Sequence, residues 1–363
     1  MRILQLSKFY PPTRGGIEVV AETLSRAHAD MGDEVAILCF GKNNKTYKGK
    51  YGETVNEIQE NFRLLSASFS WRLPFVFLRL LKQFRPDKIY VHLPNPSMHL
   101  LMHLCAGILA SKEVICSAVY HNDIINQRVL RFFYELYFFI TSTFYAEMIC
   151  SSDKLWHTSR VLRRMPVSKR RILHFRHDGD NEFRKRSDFN KRLVAIGRLV
   201  PYKGYDFLID ALADSDYHLT IIGDGPLRQA LEKKRTSNVV LTGDVSDDIK
   251  RKIMNESDLL IVSSLNRSEG YGLTIVEAFE NGMPVVASNV QSGVTFLVED
   301  GVRGKTFTTL SKAKLLEALK SFDDDTDLLS RCSDDCRKFY DSKLTYNKYK
   351  EGVASLLRKD PII

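Results

Sequence analysis

Short apolar runs alternate with helical periodicities along most of the chain. In the first half RILQLS, EVAILCF, KIYVHL, EVICSAVY, EMICSS and RRILHF read as strands buried on both faces. Helical stretches of about 10–15 residues separate most of them, which predicts a parallel sheet wrapped by helices. The pattern breaks over RHDGDNEFRKRSDFN and restarts with LVAIGRL, HLTIIGDG, NVVLTG, DLLIVSS and PVVAS. The fold class expected is therefore α/β, with two doubly wound, Rossmann-like domains at 1–175 and 191–340, joined by a linker at 176–190. After Val298 three stretches are helical, and the last, 341–363, is placed to cross back onto the first domain. Ligands of such sheets bind beyond the carboxyl ends of the strands, so the cleft between two facing halves is the expected site.

Composition narrows the class. The 363 residues are 44% apolar and 27% charged, which excludes disordered and fibrous chains. The six cysteines form no CxxC pair and have no metal-ligand spacing with histidine, and four lie in apolar runs, so a reduced, cytoplasmic protein is expected. The apolar part of MRILQLSKFYPP is too short for a signal peptide, and no apolar run reaches the roughly 18 residues of a membrane span. The charge is unevenly divided. Residues 1–175 carry 24 Lys and Arg against 14 Asp and Glu, a net of +10, whereas 176–363 carry 29 against 30, a net of −1. An anionic partner for the first half follows: nucleic acid, a phospholipid surface or an anionic lipid-linked substrate.

The densest chemistry lies in RSEGYGLTIVEAFENGMPVVAS. A strand is expected to end near Ser264, with Glu269, Gly270, Tyr271 and Gly272 in a loop and a helix from Leu273 to Asn281. Glycines there let backbone N–H groups approach an anion, and the helix N-terminus adds about 0.3–1 kcal/mol of favourable potential. Glu269 and Glu277 flank this turn and suit a ligand with one diphosphate and hydroxyls on both sides. In AIGRLVPYKGYDFLIDAL, Arg198 ends a strand and Lys203 stands at a helix start, two cations able to hold a diphosphate.

These residues resemble retaining glycosyltransferases of family 4, with a GT-B fold. Glu269 and Glu277 match the family's pair of glutamates eight apart, and Gly197, Arg198, Leu199, Lys203 and Gly204 match its G-R-L-x-x-x-K-G block. The resemblance implies that Glu269 contacts the donor sugar, Glu277 the ribose and the Gly270–Leu273 backbone the diphosphate. Gly223 in IIGDGPLRQAL reads as a tight turn placed to line the nucleotide pocket; the third glycine of a dinucleotide fingerprint is missing. Gly15 and Gly16, between the first strand and a helix near Ile17, match the family's first glycine loop and offer N–H groups to a phosphate. His121 and Asp123, just past a strand, match its Y-H-x-D block. His121 is expected to contact the donor sugar near the reacting carbon, and Asp123 to orient the acceptor or a loop. The family's linker block N-G-V-D is only loosely present as His177, Asp178, Gly179, Asp180 and Phe183. Asp178-Gly179-Asp180 also spells D-x-D, but it lies in a linker, and no metal or cofactor is expected beyond the nucleotide sugar as co-substrate.

WRLPFVFLRLLKQFRPD combines an apolar face with Arg72, Arg79, Lys82 and Arg85, which suits either a core helix with a solvated edge or a helix on an anionic bilayer. The aromatic-rich stretch 128–148 is expected in the core. With the basic first half, these favour a lipid-linked saccharide acceptor and a peripheral position at the inner face of the cytoplasmic membrane; no nucleic-acid module is visible. Y-H-N-D-I-I and R-S-E-G-Y-G-L-T resemble bacterial mannosyl- or rhamnosyltransferases of O-antigen or capsule assembly. The resulting expectation is hexosyl transfer, metal-independent and with retention, with GDP-mannose as donor and a UDP-hexose as the alternative. A non-catalytic sugar-nucleotide or lipid-binding protein is the competing class, and a nicotinamide-dependent oxidoreductase is weaker still for want of its glycine fingerprint.

Overall fold

A computed structural model describes residues 1–13, 15–64, 67–124, 128–177 and 182–357. The chain forms two compact units, Met1–Asp178 with Tyr346–Ile363, and Gly179–Thr345.

The first unit is built on strands β1 (Arg2–Leu6), β2 (Glu34–Gly41), β3 (Lys45–Lys48), β4 (Thr54–Gln59), β5 (Phe62–Leu64), β6 (Ala67–Phe69), β7 (Lys88–Leu93), β8 (Ile115–Tyr120), β9 (Glu147–Cys150) and β10 (Arg170–Ile172). Eight of them form one sheet in the order β10-β9-β8-β7-β1-β2-β4-β3, with β5 and β6 as a separate hairpin. Every neighbour pair in the sheet is parallel except β3 on β4. The continuous apolar runs of β1, β2 and β7 are explained by burial on both faces under α1 (Gly16–Ala29), α2 (Leu73–Gln83), α3 (Pro96–Leu104), α4 (Ala106–Ser111), α5 (Arg128–Thr141) and α6 (Asp153–Thr158). The strand order reverses between β1 and β7, and the carboxyl ends of these strands open on a topological switch point.

One expectation is corrected here. The aromatic stretch 128–148 is not a core segment throughout: Phe138 and Tyr145 are fully buried, but Phe132, Phe133, Leu136, Phe139 and Ile140 of α5 are exposed. A helix buries one stripe, and α5 carries large apolar side chains on more than that stripe. Its inner stripe packs on α3, where the ring of Tyr137 lies 4.9 Å from that of His99.

The second unit holds β11 (Arg192–Ile196), β12 (His218–Ile222), β13 (Val239–Gly243), β14 (Leu259–Val262), β15 (Val285–Ser288) and β16 (Gly304–Phe307), all parallel, in the order β13-β12-β11-β14-β15-β16. Helices α7 (Tyr205–Leu212), α8 (Arg228–Lys234), α9 (Asp247–Glu256), α10 (Leu273–Glu280), α11 (Gly293–Leu297), α12 (Lys312–Asp324) and α13 (Leu328–Lys343) cover it. The order reverses between β11 and β14, which makes the loops after these two strands the ligand-facing ones.

Asp178, Gly179 and Asp180 lie outside the described residues. From Glu182 to Asn190 the chain is irregular but anchored to the second unit by Arg186, which is buried. Its guanidinium donates to the carbonyls of Arg184 (2.6 Å), Met254 (3.0 Å), Ser257 (3.3 Å) and Asn281, and to Asn281 Oδ1. The last helix, α14 (Tyr346–Ser355), packs on the first unit. Arg26 lies 3.9 Å over the Tyr346 ring, and buried Lys88 donates to both Glu147 (2.6 Å) and the Leu356 carbonyl (2.7 Å).

Candidate active site

The two strongest sequence motifs fold side by side at the switch point of the second unit. Arg198 and Lys203 follow β11, and Glu269 lies in the loop between β14 and α10. Leu265 N–H donates to the Tyr202 carbonyl (2.7 Å), and Ser263 Oγ donates to the Lys203 carbonyl (2.8 Å). Gly204 has φ +69 and approaches so closely that a Cβ would lie 2.4 Å from the Ser263 carbonyl oxygen. Only glycine permits both the angle and the contact.

Across this seam Lys203 Nζ pairs with Glu269 Oε2 at 2.6 Å, the two side chains being 13% and 12% exposed. Ser264 Oγ also donates to Glu269, at 3.2 Å. Burial pulls the Lys203 ammonium down, but the Glu269 carboxylate outweighs it and holds the group above the ordinary lysine range. Tyr205, beside this cation, is pushed up to about 12, chiefly by burial. Arg198 is exposed and carries a second positive charge on the same loop.

Gly270, Tyr271 and Gly272 lead into α10, whose N-cap is Gly272 in the left-handed region at φ +86. The turn is braced from behind, because Gly293 N–H donates to the Gly270 carbonyl (2.8 Å). Leu273 begins the helix, and Glu277, one turn in, pairs with Lys250 of α9 at 3.1 Å. This loop-to-helix junction presents the positive end of the helix between the Glu269 and Glu277 carboxylates, an arrangement suited to an anion.

Comparison with known proteins bears on the family and the fold. A family model described as Glycosyl transferases group 1 matches residues 180–339, and one described as Glycosyltransferase Family 4 matches residues 14–172. The chain is 27% identical to the O-antigen chain mannosyltransferase C of Escherichia coli over 98% of both chains. It is 28% identical to the D-rhamnosyltransferase WbpZ of Pseudomonas aeruginosa, over 88% of this chain and 86% of that one.

The chain belongs to glycosyltransferase family 4.

Solved structures give the same fold. Anabaena HepE in complex with UDP matches with a TM-score of 0.75 at 18% identity, over 98% of this chain and 99% of that one. Sucrose-phosphate synthase from Thermosynechococcus elongatus matches with a TM-score of 0.78 at 15% identity, over 99% and 98%. This family 4 glycosyltransferase therefore has the GT-B fold, two Rossmann-like units in one chain.

Within it, Gly223 follows β12 and donates its N–H to the Gly243 carbonyl (2.9 Å). A Cβ on Gly223 would lie 2.1 Å from the Gly197 carbonyl oxygen, so its place is fixed by close approach of backbones. In the first unit Gly15 caps α1 and Gly16 begins it. The Glu18 carboxylate lies over Gly15, where a Cβ would come within 2.2 Å of it. His121 follows β8 and is buried, with Nε2 3.0 Å from Nδ1 of His92. Burial, followed by the neighbouring His92, pulls the His121 ring well below the ordinary histidine range. Asp123 accepts from Tyr120 OH (2.8 Å), Ser159 Oγ (2.5 Å) and Arg160 N–H (3.1 Å), which ties the His121 loop to the segment after α6.

Sequence reasoning overlooked Lys250, His92, Ser263 and Ser264. Lys250 lies in an ordinary charged helix and gains its meaning only from Glu277. His92 sits inside the apolar run of β7, where its spacing from His121 carries no signal until β7 and β8 pair in register. The serines were legible as the end of a strand but not as ties between loops. Among the described residues no three His, Cys, Asp or Glu side chains gather to hold a metal ion.

Proposed function

We propose that this protein is a retaining, metal-independent hexosyltransferase that moves mannose from GDP-mannose to a hydroxyl of a lipid-linked saccharide in bacterial surface polysaccharide assembly. The observation that carries the reading is the Lys203–Glu269 pair beside the α10 N-terminus. In this reading Arg198, Lys203 and the Gly270–Leu273 backbone receive the diphosphate, Glu269 the sugar and Glu277 the ribose, and His121 contacts the sugar. The bond from the anomeric carbon to the diphosphate oxygen breaks with its electron pair moving to the diphosphate. The acceptor oxygen bonds to the same face of that carbon, and its proton passes to the departing phosphate. The residues contribute orientation and charge stabilisation, with positive charge in place of a metal ion.

Mannose is favoured by the Escherichia coli relative and by the GDP-mannose-dependent phosphatidylinositol dimannoside mannosyltransferase of Mycobacterium tuberculosis, 23% identical over 83% of this chain. The lipid-linked acceptor and an anionic membrane surface are favoured by large apolar side chains that helices of the first unit leave exposed. Phe75 and Leu78 of α2, Leu104 of α3, and Phe132, Phe133, Phe139 and Ile140 of α5 are exposed, with Arg72, Arg79 and Lys82 exposed on and beside α2. Aromatic and basic side chains together suit the headgroup layer of an anionic bilayer. Among the described residues no helix is long and apolar enough to cross a membrane.

A thermal-shift panel with GDP, UDP, dTDP and ADP, each with and without Mg²⁺, tests the donor. A nucleotide at 100 times its dissociation constant stabilises the folded state by about 2.7 kcal/mol. A shift with GDP alone, independent of Mg²⁺, is expected. A shift with UDP alone would replace mannose donation by a UDP-hexose, and no shift from any nucleotide in folded protein would favour a binding protein without this chemistry.

A further inference from the structure

We propose that a buried chain of side chains, Glu53–Tyr10–Ser25–Gln5–His92, is a positioning device that holds His121 with its proton on Nε2 and leaves Nδ1 to accept a hydrogen bond from a sugar hydroxyl. The ligand part rests on the function proposed above; the tautomer rests on hydrogen-bond geometry and on the burial that keeps both rings neutral.

Gln5, on β1, places Nε2 3.2 Å from the Ala21 carbonyl and 2.8 Å from Ser25 Oγ. A carbonyl only accepts, so the amide is oriented with its nitrogen toward α1 and its Oε1 toward β7. Oε1 lies 2.8 Å from His92 Nε2, and because Oε1 only accepts, His92 must carry its proton on Nε2. His92 is fully enclosed, and burial pulls its pKa down to about 3, so it is neutral and has one ring proton. Its Nδ1 is therefore an acceptor. His121 Nε2, 3.0 Å away, must donate to it. A neutral His121 then has no proton on Nδ1.

At the far end Ser25 Oγ, which accepts from Gln5, donates to the Ala21 carbonyl at 3.0 Å. Tyr10 OH donates to Glu53 Oε1 (2.8 Å) and lies 3.0 Å from Ser25 Oγ. Tyr51 N–H also donates to Glu53, at 2.8 Å. Gln5, Ser25, Tyr10, Glu53 and His92 are all buried, so the bonds act in a low-dielectric setting where each polarises the next. Burial and then the Glu53 charge push Tyr10 far above the ordinary tyrosine range, so the phenol keeps the proton it donates. These residues come from β1, the β1–α1 loop, α1, β7 and the β3–β4 turn, and the bonds pass through the β1–β7 switch point.

The test is a long-range ¹H–¹⁵N correlation spectrum of histidine-labelled protein at pH 7.5, with His121 assigned by its loss in His121→Gln. The expected result is a protonated Nε2 and an unprotonated Nδ1 on His121. Gln5→Leu removes the acceptor for His92 and is expected to give mixed His121 tautomers, with kcat/KM for sugar transfer about tenfold lower, the loss of one oriented hydrogen bond. A proton on Nδ1 in the unaltered protein overturns the proposal whether or not Gln5→Leu folds. So does a folded Gln5→Leu with unchanged tautomer and kcat/KM. The expected tautomer in a protein that transfers no sugar would overturn the ligand and the function together, while keeping the relay.

Discussion

Lys203 and Glu269 hold each other at 2.6 Å, although the proposed function gives one to a diphosphate and the other to a sugar. A donor that engages both must divide a pair whose partners are already placed and mostly shielded from water. Lys203→Ala leaves Glu269 as an uncompensated, nearly buried charge, and the expected loss is about 3 kcal/mol of stability, with activity abolished. In Lys203→Ala/Glu269→Ala much of that stability returns while activity does not. Urea unfolding of Lys203→Ala, Glu269→Ala and the double variant, analysed as a double-mutant cycle, checks the coupling.

Lys250 touches the proposed ribose contact only through Glu277, 3.1 Å away. Lys250→Ala is expected to raise the donor KM about tenfold, equivalent to about 1.4 kcal/mol, with little change in kcat. Steady-state kinetics against donor concentration separate this from a general loss of folding.

Acid is expected to weaken the first unit selectively. Burial pulls both His92 and His99 down to about 3, and both belong to that unit. In the unfolded chain they take up protons below the ordinary histidine value, whereas in the folded chain they do not until about pH 3. Stability is therefore fully present above the ordinary value and is lost as pH falls. Between pH 7.5 and 5.5 the loss is roughly 1.4 kcal/mol per histidine. Hydrogen exchange at the two pH values should show it in peptides from residues 1–177 before those of the second unit.

Phe132 and Phe133 are 63% and 60% exposed, so their removal costs the fold little. Phe132→Ser/Phe133→Ser is expected to reduce binding to vesicles containing anionic phospholipid at least tenfold, with an unchanged melting temperature. Co-sedimentation at matched ionic strength measures it, and equal binding by the variant would count against docking through α5.

Arg186 satisfies four backbone carbonyls from one guanidinium, and burial, with Arg184 nearby, pulls it down to about 10, still charged at neutral pH. Arg186→Met strands those acceptors and is expected to cost about 3 kcal/mol or more. The midpoint of urea unfolding of the second unit reads it.

Much of this was legible in the chain. The alternation of apolar runs and helical periodicities marks both sheets, because parallel strands buried on two faces leave a continuous apolar signature. The Gly197–Gly204 and Glu269–Glu277 motifs were legible because their chemistry is local: turn, cation, helix start. What was not legible depends on pairing across distance. Gln5 and His92 are neighbours only through the β1–β7 register, in which Gln5 stands opposite Tyr90. The exposed rings of α5 misled for a related reason. Apolar composition reports how much surface seeks burial, not whether the fold or another phase supplies it.

The return of α14 to the first unit makes that unit discontinuous in sequence. Its missing piece leaves the ribosome only after residues 179–345, so the face of α1 and the ammonium of Lys88 must await it while the intervening unit is made. A hybrid enzyme that exchanges second units between relatives therefore needs two junctions, one near residue 178 and one near 345. With a single junction the first unit would receive a returning helix shaped for another protein.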